Sequence, residues 1–203
     1  MTDRPILFSA PMVRALVAGS KTQTRRILKV ETTDTGWFHL KNGGGGCFCD
    51  SEEDLKRVAV DYTPFAVGDR LWVKETHTCV GDADRWTLYR ASGYEAECDR
   101  HGFDKPYPPE SDVRWKPSIF MPRSRSRLTL IVTDVRVQRL QDITLGEICA
   151  EGLATSIYDF KPIQRGFDAW IALWDSINGA GAWEANPWVV AVSFDVIKGN
   201  IDG

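Results

Sequence analysis

Residues 127–137, RLTLIVTDVRV, form the clearest strand pattern in the chain. Before them, a glycine turn at Gly68 leads into an alternating stretch that ends at Glu75, which predicts a second strand. After them, residues 187–196 predict a core strand that closes the chain. Helical patterns lie between these strands without regular alternation, and the strands lack long crossovers. The pattern favours an α+β fold, a small barrel or curved sheet decorated by helices, over a doubly wound fold.

The composition is that of one globular domain. The chain has 203 residues, of which 43% are hydrophobic and 26% charged, close to the globular average. We expect a single domain over residues 1–203, with a glycine-rich insertion at about 31–60 and a proline-rich loop at about 99–111. The tract Gly43–Gly46 inside the insertion is expected to hold neither a helix nor a strand.

No stretch is apolar enough to span a membrane or to act as a secretory signal, which predicts a cytoplasmic protein without a membrane partner. The five cysteines are an odd number, and in this setting reduced thiols are expected.

The net charge of −3 conceals two basic segments. Residues 1–29 carry six basic and one acidic side chain, and residues 112–139 carry seven and two. Two such segments in an acidic chain favour one anionic partner, and nucleic acid is the obvious candidate. The alternative is that these residues are scattered over a solvated surface.

The first candidate site is the stretch Gly19–Arg26, which follows a predicted helix. A desolvated Lys21 has a lowered pKa and can take a proton from a threonine hydroxyl, which would make Thr24 a nucleophile. Arg25 and Arg26 are suited to holding a phosphate. The alternative is an ordinary solvated basic loop.

The second candidate is Glu151, at the end of a helix that Thr144 caps and Gly152 stops. The helix dipole disfavours a carboxylate at this end, so the pKa of Glu151 is expected to lean upward, as suits an acid or base. The alternative is an exposed glutamate before a helix-ending glycine.

A further predicted helix, residues 167–177, places Trp170 and Trp174 on one buried face.

Taken in order, these motifs resemble the ASCH domain, a branch of the PUA-like superfamily. The motifs are Gly19-x-Lys21-Thr22-x-Thr24-Arg25-Arg26, Gly68-Asp69-x-Leu71-Trp72-Val73-x-Glu75, a strand ending in Asp134-Val135, and Leu140-x-x-Ile143-Thr144 followed by Ala150-Glu151-Gly152. Two C-terminal segments, residues 173–178 and 186–189, resemble the longer phage- and prophage-associated members.

The resemblance implies a PUA-like β-barrel with a cleft for RNA or a nucleoside. Small bacterial members are N4-acetylcytidine amidohydrolases, and their proposed lysine, threonine and glutamate fall on Lys21, Thr24 and Glu151. The leading expectation is amide hydrolysis of an N4-acylated cytidine. Another member is described as a metal-dependent ribonuclease, so the alternatives are a ribonuclease that uses the same basic cleft and a non-catalytic RNA-binding module.

Further residues are candidates for contact with the nucleoside or RNA. In extended geometry the alternating arginines and serines of residues 123–127 place their arginines on one side, a ladder suited to a phosphate backbone beside stacked bases. The alternative is a charged strand edge. Glu75 is a rival acid at a strand end. The predicted contact residues are Arg25, Arg26, Glu75, Arg90, Trp115, Arg123, Arg125 and Ser126.

Metal binding is the candidate function that the sequence supports least. Cys47 and Cys49, with His39, His77 and Cys79, are ligand types, yet no pair of Cys-x-x-Cys motifs occurs. We therefore expect neither a metal nor another cofactor.

Overall fold

The computed structural model describes residues 1–32, 38–42, 45–81, 83 and 85–203, with the backbone alone described at residues 32, 41–42 and 45–47. The helices are α1 (Ala10–Ala18), α2 (Glu52–Val58), α3 (Tyr94–His101), α4 (Leu145–Ala150) and α5 (Gln164–Asn178). The strands are β1 (Asp3–Leu7), β2 (Gln23–Ile27), β3 (Val30–Thr32), β4 (Phe38–Asn42), β5 (Gly45–Cys49), β6 (Arg70–Lys74), β7 (His77–Val80), β8 (Trp86–Tyr89), β9 (Leu128–Arg139) and β10 (Trp188–Lys198). Among these described helices, none is long and apolar enough to cross a membrane.

The strands form three sheets. Five strands are hydrogen-bonded in the order β1-β6-β9-β10-β2, three in the order β3-β4-β5, and β7 pairs with β8. Each order has two different end strands, so within the described ranges no sheet closes into a barrel. The mixed α+β class predicted from the sequence is confirmed, and a closed barrel is not.

The contacts divide the chain into two compact units. Unit 1 contains Met1, Ser20–Asp69 and Ile131–Asp195, and unit 2 contains Thr2–Gly19, Arg70–Leu130 and Val196–Gly203. The single domain over residues 1–203 stays a prediction.

In unit 1, β2 and β10 pair antiparallel, with Thr24 opposite Val192. Thr144 caps the start of helix α4: its side chain accepts from the amide of Glu147, and the Glu147 side chain accepts from the amide of Thr144. Trp170 and Trp174, four residues apart on α5, are buried in one apolar cluster with Ile148 of α4. The predicted core face of this helix is therefore confirmed.

The predicted insertion of unit 1 holds a small sheet against a helix. Leu40 of β4, Cys49 of β5 and Leu55 of α2 are buried together. Gly45 and Gly46 pair with β4, so the expectation that the glycine tract holds no strand is wrong for these two residues. Cross-strand hydrogen bonds compensate for the low strand propensity of glycine there. The other two glycines of the tract lie outside the described residues.

In unit 2, β1 and β6 pair parallel and β7 and β8 antiparallel. Helix α1 has Pro11 in its first turn and ends at Gly19, whose left-handed φ of 78° suits a residue without a Cβ. Helix α3 continues to His101, so it takes up the first three residues of the predicted proline-rich loop.

Candidate functional site

Lys21 and Glu151 are brought together by the backbone of unit 1. The two residues form an antiparallel bridge, although 130 positions separate them. The neighbouring Thr22 donates its amide to the carbonyl of Ala150 at 2.8 Å, and its own carbonyl accepts from the amide of Phe194 at 2.9 Å. The segment before β2 is thus held between the end of α4 and strand β10.

The ammonium of Lys21 is buried and surrounded by acceptors. Its Nζ lies 2.8 Å from the carbonyl oxygen of Gln23, 2.9 Å from that of Glu151 and 2.7 Å from Oε2 of Glu151. The residue is 0% exposed. Burial lowers the pKa of Lys21, and the charge of Glu151 only partly opposes this effect. The predicted desolvated lysine is therefore present, and its nearest acid is the predicted glutamate.

The carboxylate of Glu151 is shared by two cations. Oε2 accepts from Lys21, and Oε1 accepts from Nη1 of Arg25 at 3.0 Å. The same Nη1 also donates to Oε1 of Gln23 at 2.8 Å. Glu151 is 4% exposed, so it is not the solvated glutamate of the alternative reading.

Thr24 lies on the other face of β2. Side chains alternate along a strand, which puts Gln23 and Arg25 on one face and Thr24 and Arg26 on the other. The Thr24 hydroxyl accepts from Nη1 of Arg26 at 2.8 Å, and that Nη1 also donates to the carbonyl of Arg25 at 2.9 Å. Thr24 is 1% exposed, whereas Arg26 is partly exposed.

The charges of this cluster influence one another. Burial lowers the pKa of Arg26, with the charge of Glu151 acting in the opposite direction. The positive charges of Arg26 and Arg25 add to the lowering of the Lys21 pKa. The cluster therefore holds an amine that loses its proton more readily than a solvated lysine, 2.7 Å from a carboxylate oxygen.

Sequence reasoning missed other members of the cluster. Glu147 lies 3.1 Å from Nη2 of Arg25 and 2.8 Å from Nη2 of Arg136, and Gln23 donates to the hydroxyl of Ser193 at 3.0 Å. The spacing Thr144-x-x-Glu147 is the capping-box pattern, which could have drawn attention to Glu147 as a fixed group.

The remaining predicted contact residues belong to unit 2, where the arginine ladder is not formed. Residues 123–125 make a 3₁₀ turn after Pro122 instead of an extended strand. Arg123 forms an ion pair with Asp3 at 2.6 Å and one with Asp202, and Arg125 donates to the hydroxyl of Thr87 at 2.6 Å. The expectation that the arginines share one face in extended geometry is wrong, because the turn and these partners direct each side chain separately.

The other contact residues of unit 2 are placed as follows. The guanidinium of Arg90 lies 5.9 Å from the ring of Trp115, which packs against the cluster of Leu88, Tyr94 and Cys98. The hydroxyl of Ser126 is buried, within hydrogen-bond distance of the carbonyls of Val73 (2.9 Å) and Leu128 (3.0 Å).

Glu75 is buried in an ion pair of its own. Its two oxygens accept from Nε and Nη2 of Arg127 at 2.8 and 2.9 Å. The carboxylate of Glu97 lies 3.6 Å from the same guanidinium. Burial raises the pKa of Glu75, and Arg127 partly opposes the rise.

The metal-ligand candidates do not form a centre within the described residues, where no group of three or more His, Cys, Asp or Glu side chains could hold a metal ion. His39 stacks on Phe48 with ring centroids 4.3 Å apart, and Cys49 is part of an apolar core. The side chain of Cys47 lies outside the described part of the chain.

No protein-family model matches this chain, and neither a curated protein nor a solved structure shows a significant match to it.

Proposed function

We propose that this chain is an ASCH-type hydrolase of PUA-like plan that cleaves the amide of an N4-acylated cytidine, free or within RNA, with Lys21, Thr24 and Glu151 as its catalytic residues. The observation that carries the proposal is the buried contact of 2.7 Å between Nζ of Lys21 and Oε2 of Glu151. A charged pair this deeply buried is a poor source of stability, because desolvation offsets most of the Coulomb attraction. Perturbed, buried acid–base pairs concentrate at functional sites.

The proposed chemistry begins with a proton moving from Lys21 to Glu151. The contact of 2.7 Å is a direct path for this transfer, which leaves a neutral amine and a protonated carboxyl. Thr24 lies on the opposite face of β2 from the Lys21 ammonium, so the next step requires a rearrangement of this segment that brings the two side chains together. The amine then takes the hydroxyl proton of Thr24, and Oγ1 attacks the acyl carbon. When the bond from that carbon to N4 breaks, the carboxyl of Glu151 gives its proton to N4, and the acyl group remains on Thr24 as an ester.

Water completes the cycle. Glu151 accepts a proton from the water that attacks the ester, and the acid is released as Thr24 recovers its proton from Lys21. Arg26 is partly exposed, and its Nη1 donates to Oγ1 of Thr24 at 2.8 Å. Its guanidinium is suited to stabilise the oxyanion that forms on the acyl group.

The proposed reaction requires that the substrate reach buried side chains. Lys21, Thr24 and Glu151 are 0%, 1% and 4% exposed, so an acyl group reaches them only when covering groups move. Arg26 is the partly exposed residue on Thr24, and its displacement toward the substrate would expose the hydroxyl.

The test measures, by chromatography, the release of cytidine from N4-acetylcytidine. Wild type is compared with Lys21→Ala, Thr24→Val and Glu151→Gln, each checked for folding by circular dichroism. The matched controls are Lys29→Ala, Thr22→Val and Glu184→Gln, which change the same residue types at exposed positions. We expect the three site variants to lose turnover by about 100-fold or more and the controls to retain it.

The substrate is varied in the same experiment. Deacetylation only of an acetylated oligonucleotide, seen as acetate release and as cytidine in a digest of the product, would assign the activity to RNA. Full activity in Lys21→Ala would contradict the proposal. Cleavage of unmodified RNA that is lost in Lys21→Ala would favour a ribonuclease, and salt-sensitive RNA binding without any product would favour a binding module.

A further inference from the structure

Six side chains of alternating charge form a continuous chain in unit 1. In order they are Lys21, Glu151, Arg25, Glu147, Arg136 and Asp134. The nitrogen-to-oxygen distances along it are 2.7, 3.0, 3.1, 2.8 and 2.9 Å. The Lys21 and Arg25 side chains are 0% exposed, whereas those of Arg136 and Asp134 are 46% and 50% exposed. The chain therefore leads from the buried pair to the surface of the unit.

Arg25 is held mainly by carboxylates. Nη1 binds Glu151, and Nη2 lies 3.1 Å from Oε2 of Glu147. Among the described side chains and backbone, its Nε and Nη2 have no hydrogen bond, so the contact of Nη2 with Glu147 is an ion pair, and the guanidinium lies 5.9 Å from the ring of Trp170. The orientation of this cation therefore depends on the two glutamates and on Gln23, whose Oε1 accepts from Nη1 at 2.8 Å.

Glu147 is itself fixed by the start of α4. Its Oε2 accepts from the amide of Thr144 at 2.9 Å, and its Oε1 accepts from Arg136 at 2.8 Å. Burial disfavours its charge, but the Thr144 amide, Arg25 and Arg136 together lower the pKa of Glu147. Glu147 is thus an ionised and well-anchored partner for Arg25 at neutral pH.

We infer that Arg25 and Glu147 are positioning residues, which orient the carboxylate of Glu151 toward Lys21 by holding its second oxygen. As far as turnover is concerned, this inference rests on the proposed function. Without Arg25, Oε1 of Glu151 loses its cation and the carboxylate can rotate away from Nζ. Small misplacements of reacting groups reduce rates strongly, so loss of Arg25 is expected to lower kcat by about 100-fold with little change in KM.

The charge of Arg25 also acts on Lys21. Glu151 faces Lys21 and raises its pKa, whereas Arg26 and Arg25 face it and lower its pKa. The contributions of Glu151 are larger than that of Arg25, so a carboxylate that rotates away from Nζ when Arg25 is replaced moves the protonation of Lys21 to lower pH. Loss of the Arg25 charge alone, with the carboxylate still in place, would move it to higher pH.

The experiment combines kinetics with a direct titration of Lys21. The kinetic variants are Arg25→Gln, the charge-conserving Arg25→Lys and Glu147→Gln, with Asp134→Asn as the control at the exposed end of the chain. The pH profile of kcat/KM is expected to move to lower pH in Arg25→Gln, to be partly restored in Arg25→Lys and to be unchanged in Asp134→Asn. Glu147→Gln keeps a side chain that can cap α4, and it tests the ion pair between Glu147 and Arg25 from the side of the more exposed residue.

The titration uses 15N-labelled lysine, with the Lys21 side-chain signal assigned from its loss in Lys21→Ala. It needs no substrate, so it separates failure of this inference from failure of the proposed reaction. If Arg25→Gln does not fold, the same titration of Glu147→Gln is decisive, with the Lys21 titration moved to lower pH as the expected result. A Lys21 titration that is unchanged or moved to higher pH in the folded variants overturns the inference, whatever the activity.

Discussion

Arg26 donates to the hydroxyl of Thr24, with Nη1 2.8 Å from Oγ1. The two residues are neighbours on one face of β2, because side chains two positions apart on a strand point the same way. A guanidinium at this place stabilises an alkoxide more than a neutral hydroxyl, since negative charge would form beside it. In the proposed reaction, Arg26 is therefore expected to assist the ionisation of Thr24.

Replacing Arg26 by methionine is expected to reduce kcat by about 100-fold, as loss of one oxyanion donor does elsewhere. Arg26→Lys keeps the charge and is expected to retain more activity. Steady-state kinetics on N4-acetylcytidine measures both, with the exposed Arg165→Met as control. Wild-type kcat in Arg26→Met alongside an inactive Thr24→Val would remove Arg26 from the mechanism.

The pH dependence of kcat/KM is expected to follow Lys21. Burial lowers its pKa from the ordinary 10.5, and the neutral amine is the proposed base. The proposed reaction uses the single proton that Lys21 and Glu151 share, so the rate must fall as pH rises through the pKa of Lys21 and reach half of its maximum below 10.5. Lys29→Ala serves as the unchanged control, and a half-maximum at or above 10.5 in the wild type would contradict the role of Lys21.

The same shift has a consequence for stability. Between the lowered pKa of folded Lys21 and 10.5, the unfolded chain binds the proton and the folded chain does not. The contribution of this residue to the free energy of unfolding therefore increases with pH in that window. Urea unfolding of wild type and Lys21→Met over this window measures the difference, which should grow in favour of the wild type as pH rises.

Removing the two members of the buried pair is expected to have unequal effects. Glu151→Leu deprives both Lys21 and Arg25 of a carboxylate, whereas Lys21→Met leaves Glu151 with Arg25. Loss of one partner of a buried pair costs about 3–5 kcal/mol, and Glu151→Leu should lie at the upper end. Urea unfolding of both single variants and the double variant gives the coupling energy. A larger loss in Lys21→Met would show that Arg25 does not compensate.

In unit 2, Arg127→Met is expected to destabilise the fold more at higher pH. Burial raises the pKa of Glu75, and Arg127 opposes this rise, so the variant raises that pKa further. A folded carboxyl with a raised pKa loses stability as pH increases from about 4.5 through that pKa. Thermal unfolding at pH 5 and pH 8 should show the larger deficit at pH 8. The exposed Arg114→Met should show none, and a deficit independent of pH would rule out this explanation.

Local features were predictable where the signal lies within a few residues. The cap at Thr144 and the buried face of Trp170 and Trp174 follow from spacing along one helix. The meeting of Lys21 and Glu151 was expected only from the resemblance to a family, because no local pattern links residues 130 positions apart.

The features that the sequence did not predict depend on partner residues that lie far away along the chain. The arrangement of Arg123 depends on Asp3 and Asp202 and on a turn after Pro122, none of which its serine-alternating surroundings reveal. Gly45 and Gly46 join a strand because β4 supplies the hydrogen bonds. Glu147 was overlooked because Arg25, its partner, lies on a strand far away in sequence.

Glu147 and Glu151 are four positions apart, one turn of α-helix, and both contact Arg25. The short helix therefore fixes the spacing and the relative orientation of the two glutamates. Inserting or deleting one residue within 148–150 would rotate one glutamate by about 100° relative to the other, so that a single arginine no longer reached both. Substitutions on the outer side of this turn are compatible with the cluster, but a change in its length is not.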